Sequence, residues 1–325
     1  MANSAAEAIT AARAPEAKRR KWTLLRTFRV YWMFYLMLLP GVALLVLNNY
    51  LPMFGIVIAF KNINYTDGIL GSPWVGLRNF EYLFKTSDAW IITRNTLAYN
   101  SVFIAINMVI PLAIAIMLNE IKNRFIAKTH QTIMFLPYFL SYIVISYLVF
   151  GFLSDEHGYL NGTLLPALGL DPVRWYFTKE VWPFLLTIVN TWKGMGYYTV
   201  IYMAAIIGID EELYEAATID GASRFKQLTS ITVPLIMPII MIMMLLQIGR
   251  IFNADFGLFF QVTRDSGVLF PVTNVIDTYV YRTFLTVGDI GLSSAAGLLQ
   301  SVVGFALVFF SNYVVRSFNK DNALF

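Results

Sequence analysis

The sequence predicts an all-α, polytopic membrane protein with about six transmembrane helices. Three observations carry that prediction. Hydrophobic residues fill 58% of the 325 positions, and charged residues only 14%, against about 25% charged in an average soluble domain. Mean hydropathy is +0.62. The apolar residues also fall in uninterrupted runs, each long enough to cross a hydrocarbon core of ~30 Å. So little charge cannot coat a soluble globule of this size, whereas a bilayer accepts an apolar exterior.

Residues 1–29 are Ala-rich and then basic, with Arg13, Lys18, Arg19, Arg20, Lys21, Arg26 and Arg29. The following apolar run is too long for a signal peptide and no small-residue cleavage site closes it, so the segment reads as a cytoplasmic tail. Its end, 21–29, suits a helix lying on the membrane surface. The first span is 30–60. At 1.5 Å per residue it reaches ~45 Å, so it must tilt or break, with Pro40 and Pro52 as the expected break points.

A polar stretch, 61–94, precedes the second span, 95–118. A short loop with Lys122, Arg124 and Lys128 leads to the third, 133–153. The loop after it holds Asp155, Glu156, Asp171 and Pro172. The fourth span is 181–207, followed by a polar, helix-prone loop at 208–232. Pro234 is expected to open the fifth span, 234–260, where its missing N–H costs little. A polar loop at 261–292 and a sixth span at 293–315 complete the membrane region, and 316–325 form a second tail.

Lysine and arginine fix the orientation. Fourteen lie on the side of the N-terminus and eight on the other, with Lys193 and Arg250 inside spans. The excess places both termini in the cytoplasm, as an even number of spans requires. The net charge of +4 therefore reflects topology rather than nucleic-acid binding. The chain has no cysteine and two histidines, His130 and His157, which excludes disulfides, thiolate chemistry and a histidine metal cluster within the chain. No Gly-x-x-x-x-Gly-Lys-Ser/Thr stretch is present to cradle phosphates.

The loop at 208–232 reads as a short helix, a glycine turn and a second helix. Asp210, Glu211 and Glu212 suit a helix N-terminus. Leu213, Ala216 and Ala217 make a small apolar face, and Gly221 can adopt the positive φ that ends the helix. Such an element is either a peg for docking into another protein or an amphipathic connector.

Glu215-Ala216-Ala217, then Gly221, Ile231 and Pro234, resemble the EAA loop of binding-protein-dependent ABC importer permeases, with Val233 where that loop usually has Leu. In addition, Tyr35-Leu36-Met37-Leu38-Leu39-Pro40, Tyr50-Leu51-Pro52-Met53-Phe54-Gly55 and Trp74-Val75-Gly76-Leu77-Arg78-Asn79-Phe80 resemble the polysaccharide and uronate-oligosaccharide branch of that family, including alginate-importer membrane subunits. The resemblance covers about 30–315. It implies the type I permease fold, with a permease domain at 30–315 in a bacterial inner membrane. It also implies that Leu213, Tyr214, Glu215, Ala216, Ala217, Asp220 and Gly221 form a coupling helix that fits an ATPase cleft. The expected partners are a second homologous permease, two ATPase subunits carrying ATP and Mg, an extracytoplasmic solute-binding protein, and an oligo- or polysaccharide of acidic type. This chain itself would bind no cofactor and catalyse no reaction.

Polar residues inside spans usually face a cavity or another helix. The fourth span carries Asn190, Trp192, Lys193, Gly194 and Tyr197, with Tyr198 beside them. A central lysine costs roughly 2.5–3.5 kcal/mol on insertion scales, and the rings suit stacking on a sugar's apolar face. The fifth carries Gln247, Arg250, Asn253 and Asp255. Arg250 and Asp255, five apart, are not same-helix partners, and Lys193 with Asp255 is one expected cross-helix pair. By the resemblance, Asn190, Lys193, Gly194, Tyr197 and Asp255 match sugar-contacting positions. Each residue could instead serve helix packing.

Two other classes fit the sequence less well. A gradient-driven transporter predicts intramembrane carboxylates and inverted repeats, and the sequence offers only Asp255. An intramembrane enzyme needs a His-Glu motif or a nucleophile and base, which the sequence lacks.

Overall fold

The computed structural model describes residues 24–318 apart from Thr86. The basic tail before Leu24 and the end of the C-terminal tail, Lys320 included, lie outside the described residues. The chain divides into two compact units, 1–55 and 56–325.

In the first unit, α1 (Leu24–Leu45) passes into a π-helical turn, Val46–Tyr50. The expected break at Pro40 is not found. Pro40 lies inside α1, and the non-helical residue is Tyr31, at φ −110° and ψ 18°. Pro52 does not end the helical path either: it is the second residue of a 3₁₀ segment, Leu51–Phe60. A proline at the start of a helical segment lacks only a donor that has little use there.

The second unit is mostly helical in its membrane region. Among the described residues the one β-type contact is an isolated bridge between Lys61 and Trp74. The polar stretch after it forms α2 (Arg78–Lys85) and the start of α3 (Ser87–Asn119), so the second apolar helix begins eight residues before the expected 95. Next come α4 (Arg124–Phe135) and α5 (Tyr142–Leu153). A 3₁₀ turn, Leu136–Phe139, joins these two helices, which meet at 100°. The expected third span is thus sharply broken. Pro137 lies at the start of the 3₁₀ turn, and Ser141 caps α5 through a hydrogen bond from the Val144 N–H.

The fourth helix is α6 (Trp182–Ile207), within one residue of its expected bounds. After α7 (Glu211–Ile219), α8 runs from Arg224 to Ile248. Pro234 does not open this helix. It sits ten residues inside, just after a π turn at Leu228–Thr232 in which the Val233 N–H reaches back to the Leu228 carbonyl. The widened turn accommodates a residue that cannot continue α-helical bonding. The fifth helix also stops twelve residues before the expected 260, at Ile248. Residues 249–252 are turns and 253–255 are irregular, and α9 (Gly257–Val262) is a separate π-helical piece. The polar loop at 261–292 contains α10 (Ile276–Val287), and α11 (Ile290–Phe318) is the last long helix.

By length and composition, four helical stretches can cross a membrane: Phe28–Phe60, Asp88–Asn119, Arg224–Ile248 and Ile290–Ser317. The bent α4–α5 pair makes a fifth if counted as one span. At 26 residues α6 has the length to span, but Asn190-Thr191-Trp192-Lys193-Gly194 dilutes its apolarity.

Three buried clusters hold the second unit. Tyr99, Phe103, Ile145, Leu186 and Phe259 join α3, α5, α6 and α9. Ala115, Tyr202, Ile206, Ile236 and Ile240 join α3, α6 and α8 nearer the 208–232 loop. Leu83, Ile92, Ile276 and Ala295 join α2, α3, α10 and α11. The most extensive helix–helix packing is that of α3 with α6. Many large apolar side chains stay outside these clusters, among them Phe184, Ile188, Phe305 and Phe310, as expected of lipid- or subunit-facing surface.

A polar site between two helix breaks

A broken helix exposes backbone N–H and C=O groups that hydrocarbon cannot satisfy, so each break needs partners from the protein. At the α4–α5 break the partner is Lys193. Its ammonium donates to the Tyr138 carbonyl at 3.0 Å and the Leu140 carbonyl at 2.6 Å. It also lies 5.0 Å from the centroid of the Tyr142 ring and 5.8 Å from that of Tyr138. One turn along α6, Tyr197 stacks on Tyr138 with centroids 4.9 Å apart and planes 11° from parallel. Between them Gly196 is pressed against the backbone: a Cβ there would lie 2.2 Å from the Met134 carbonyl oxygen. Lys193, Gly196 and Tyr197 recur at helical spacing, so one face of α6 grips the break.

The second break, 249–255, is held from three helices. The Asn100 amide of α3 donates to the Ile251 carbonyl at 2.7 Å and the Asn253 carbonyl at 3.2 Å. Asp277 of α10 accepts from the Ala254 N–H at 2.7 Å. Gln300 of α11 donates to the Phe252 carbonyl at 2.7 Å and to Asp277 at 3.2 Å. The polar side of α3 continues the pattern. Asn95 donates to the Asn274 carbonyl, Thr96 accepts from the Ile276 N–H, and Tyr99 donates to the Val272 carbonyl.

The expected residues gather around these breaks, with changed partners. Asn190, Lys193, Gly194 and Tyr197 share one face of α6; Trp192 lies off that stripe. Asn190, Lys193 and Gly194 are half-buried, whereas Trp192 and Tyr197 are exposed. Gln247, in the last turn of α8, accepts from the Asn107 amide at 3.4 Å. Arg250, Asn253 and Asp255 are exposed on the second break. They are not on a helix, so the 140° separation expected for Arg250 and Asp255 does not apply. The expected Lys193–Asp255 pair is not an ion pair. Asp255 instead caps α9, accepting from the Leu258 N–H at 3.3 Å, and lies against the Tyr142 hydroxyl. Lys193 is engaged by carbonyls because a break nearby offers acceptors at full strength.

Sequence reasoning missed Asn100, Asn107, Tyr138 and Tyr142. The Leu136-Pro137-Tyr138-Phe139-Leu140-Ser141-Tyr142 stretch carried a usable signal, since a proline followed by a capping serine in an apolar run marks a broken helix. Asn107 had a weaker one, as a polar residue in the middle of a span. Its Oδ1 is buried with no hydrogen-bond partner, 3.9 Å from where a Cβ on Gly194 would stand.

The loop at 208–232 folds as expected. Asp210 caps α7, accepting from the Glu212 N–H at 3.1 Å. Gly221, at φ +78°, ends it, and the Ala222 N–H returns to the Ala217 carbonyl at 2.9 Å. Tyr214 bonds Thr232 at 2.8 Å, and Gln227 donates to Thr218 at 3.0 Å and to the Ala222 carbonyl at 3.3 Å. These bonds fasten α7 to α8. Leu213, Glu215, Ala216, Asp220 and Gly221 remain exposed, as do Ile219 and Phe225; Ala217 and Tyr214 are half-buried. Among the described residues no cluster of His, Asp and Glu could hold a metal ion.

Residues 107–320 match the family described as "Binding-protein-dependent transport system inner membrane component". The chain is 33% identical to the polygalacturonan/rhamnogalacturonan transport system permease protein YteP of Bacillus subtilis (strain 168), over 94% of each chain. It is similar in fold to a chain of a crystal structure of a bacterial ABC transporter involved in the import of the acidic polysaccharide alginate. That match has a TM-score of 0.83 and 31% identity, covering 91% of this chain and 99% of the other. A second alginate ABC transporter structure, in complex with alginate pentasaccharide-bound periplasmic protein, matches with a TM-score of 0.82 and 31% identity, covering 91% and 98%.

Proposed function

The chain belongs to the family of binding-protein-dependent transport system inner membrane components, and from that premise we propose that it carries an acidic oligo- or polysaccharide into the bacterial cytoplasm. It is a multi-pass membrane permease subunit of a sugar-importing ABC transporter, and separate subunits hydrolyse ATP. YteP is named for polygalacturonan and rhamnogalacturonan transport, and the structurally similar transporter imports the acidic polysaccharide alginate, which supports the acidic substrate.

The observation that carries the reading is the pair of helix breaks facing one polar site. Transporter sites are commonly built from discontinuous helices, whose unwound backbone and side chains meet substrate near mid-membrane. Here the walls are Asn190, Lys193, Gly194 and Tyr197 on α6, Gln247 at the end of α8, and Arg250, Asn253 and Asp255 on the break that follows it. An ammonium has three N–H groups and Lys193 spends two on carbonyls, which leaves one for a sugar carboxylate. Arg250 supplies a second cation. Trp192 and Tyr197 offer faces for stacking.

In this proposal α6 is the fourth of six spans and both termini are cytoplasmic. The permease domain runs from 30 to 315, with tails at 1–29 and 316–325. The α7 helix and its glycine turn, with Leu213, Tyr214, Glu215, Ala216, Ala217, Asp220 and Gly221, enter the cleft of an ATPase subunit. A second homologous permease supplies the other half of the pore, two ATPases bind ATP and Mg, and a solute-binding protein delivers the saccharide from outside.

The test is reconstitution of the assembled importer with substrate-stimulated ATP hydrolysis measured over neutral and uronic oligosaccharides. Stimulation by uronic members supports the reading. Stimulation by neutral members alone sinks the acidic assignment, and uptake that continues without ATP sinks the importer.

A further inference from the structure

At the end of the molecule opposite the 208–232 loop, α9 closes on two consecutive non-glycine residues in the left-handed region, Arg264 at φ +54° and Asp265 at φ +50°. Turns of this kind normally use glycine, because a Cβ strains this conformation. Two side chains are therefore retained at a cost. Asp265 has a visible task. Arg282 pairs with it at 2.7 Å, and Arg282 is itself fixed by Asn274 at 2.8 Å and by the Phe270 ring at 3.9 Å. This anchoring sets where Arg264 points.

Among the described residues the Arg264 guanidinium has no hydrogen-bond acceptor and no carboxylate partner. It stacks on Phe150 at 4.2 Å, with Tyr147 at 5.9 Å. Stacking leaves the edge of the guanidinium, with its N–H groups, open for a planar anion. Cavities lie on both sides of it. The one between α5 and α9, about 380 Å³, is walled by Ile143, Ser146, Tyr147, Phe260 and Gln261, a size and mix suited to a small ligand. Its one carboxylate, Asp265, is neutralised by Arg282. The cavity on the other side, about 400 Å³, contains Asp155 and Glu156; Arg174 lies 3.9 Å from Asp155, and the second carboxylate makes this side the less favourable one for an anion. Its Tyr176 hydroxyl is pushed up to about 12 by burial, with Arg264 pulling the other way, so it adds no negative charge near neutral pH.

We propose that Arg264 and the α5–α9 cavity form an entry subsite for one uronic acid unit, outside the polar site between the helix breaks. The guanidinium takes the sugar carboxylate in a two-pronged hydrogen bond, Tyr147 offers its ring to the sugar face, and the Gln261 amide meets hydroxyls. The subsite rests on the acidic-saccharide reading above. It explains why the outer mouth keeps an unpaired arginine beside aromatic rings.

The absence of cysteine from the chain permits a direct test. In the assembled importer, Ile143→Cys places a reporter thiol in the cavity wall, read by N-ethylmaleimide labelling of this chain. Saturating trigalacturonate is expected to slow labelling roughly tenfold, and its carboxyl-reduced counterpart to leave the rate unchanged. Adding Arg264→Gln abolishes the protection, and Arg264→Lys keeps part of it. Equal protection by both sugars, no protection, or protection that survives Arg264→Gln overturns the subsite. A thiol already blocked in the assembled importer without sugar makes the cavity a subunit interface and also overturns it. Uptake measured in parallel separates the two readings. Trigalacturonate imported without protection sinks the subsite alone. Arg264-dependent protection with import of neutral sugar only keeps the subsite and sinks the acidic-cargo assignment.

Discussion

Lys193 donates to the Leu140 carbonyl at 2.6 Å, so the one lysine of α6 braces the broken third span. Its charge belongs to the architecture before it belongs to any substrate. Replacing Lys193 with Met should orphan the Leu140 and Tyr138 carbonyls, at about 1–3 kcal/mol for each group left unsatisfied. A lowered thermal midpoint of the purified complex checks this. An unchanged midpoint would mean that the break holds without the ammonium.

Gly194 and Gly196 should behave oppositely. A Cβ at Gly196 meets the Met134 carbonyl oxygen at 2.2 Å, whereas at Gly194 the nearest atom is a Tyr198 ring carbon at 3.6 Å. Gly196→Ala is expected to force α4 away from α6 and to cost about 1–3 kcal/mol, as overpacking does. Gly194→Ala should be nearly neutral in stability. Comparing the yield and melting of the two variants decides the matter.

Gly221 is at φ +78° with open space around its Cα, so the penalty for Gly221→Ala is purely conformational, about 1–2 kcal/mol. The variant should insert normally yet present α7 in a changed orientation. Co-purification of the ATPase subunit is expected to fall. Full retention of the ATPase would argue that α7 is only a connector.

Asp277 accepts from the Ala254 N–H and from Gln300. Asp277→Ala removes the acceptor from both, and the orphaned N–H should cost about 1–3 kcal/mol. Asp277→Asn keeps an acceptor oxygen and should lose less. If transport and melting are unchanged in Asp277→Ala, Asn100 and Gln300 hold the second break without it.

Much of the fold was legible because burial in lipid acts on composition. The bounds of α6 came within a residue, since charge and polarity end abruptly at Val181 and Gly208. The α7 turn was equally readable: Asp210 as cap and Gly221 as positive-φ terminator are local requirements that a few residues state by themselves. The candidate site was legible only as an inventory. Lys193, Arg250 and Asp255 were recognisable as costly, but their partners were not, because each partner comes from a different helix. Asn100 on α3 and Tyr138 beyond α4 lie far from them in the chain.

The sequence by itself determined which segments leave water, where the loop at 208–232 turns, and which polar residues enter the membrane region. Only the tertiary structure decided that the third and fifth spans break, and that Lys193, Asn100 and Asp277 are assigned to the breaks. The physical reason is that hydropathy and capping are properties of neighbouring residues. The satisfaction of an exposed carbonyl or N–H is a property of whichever helix packs against it.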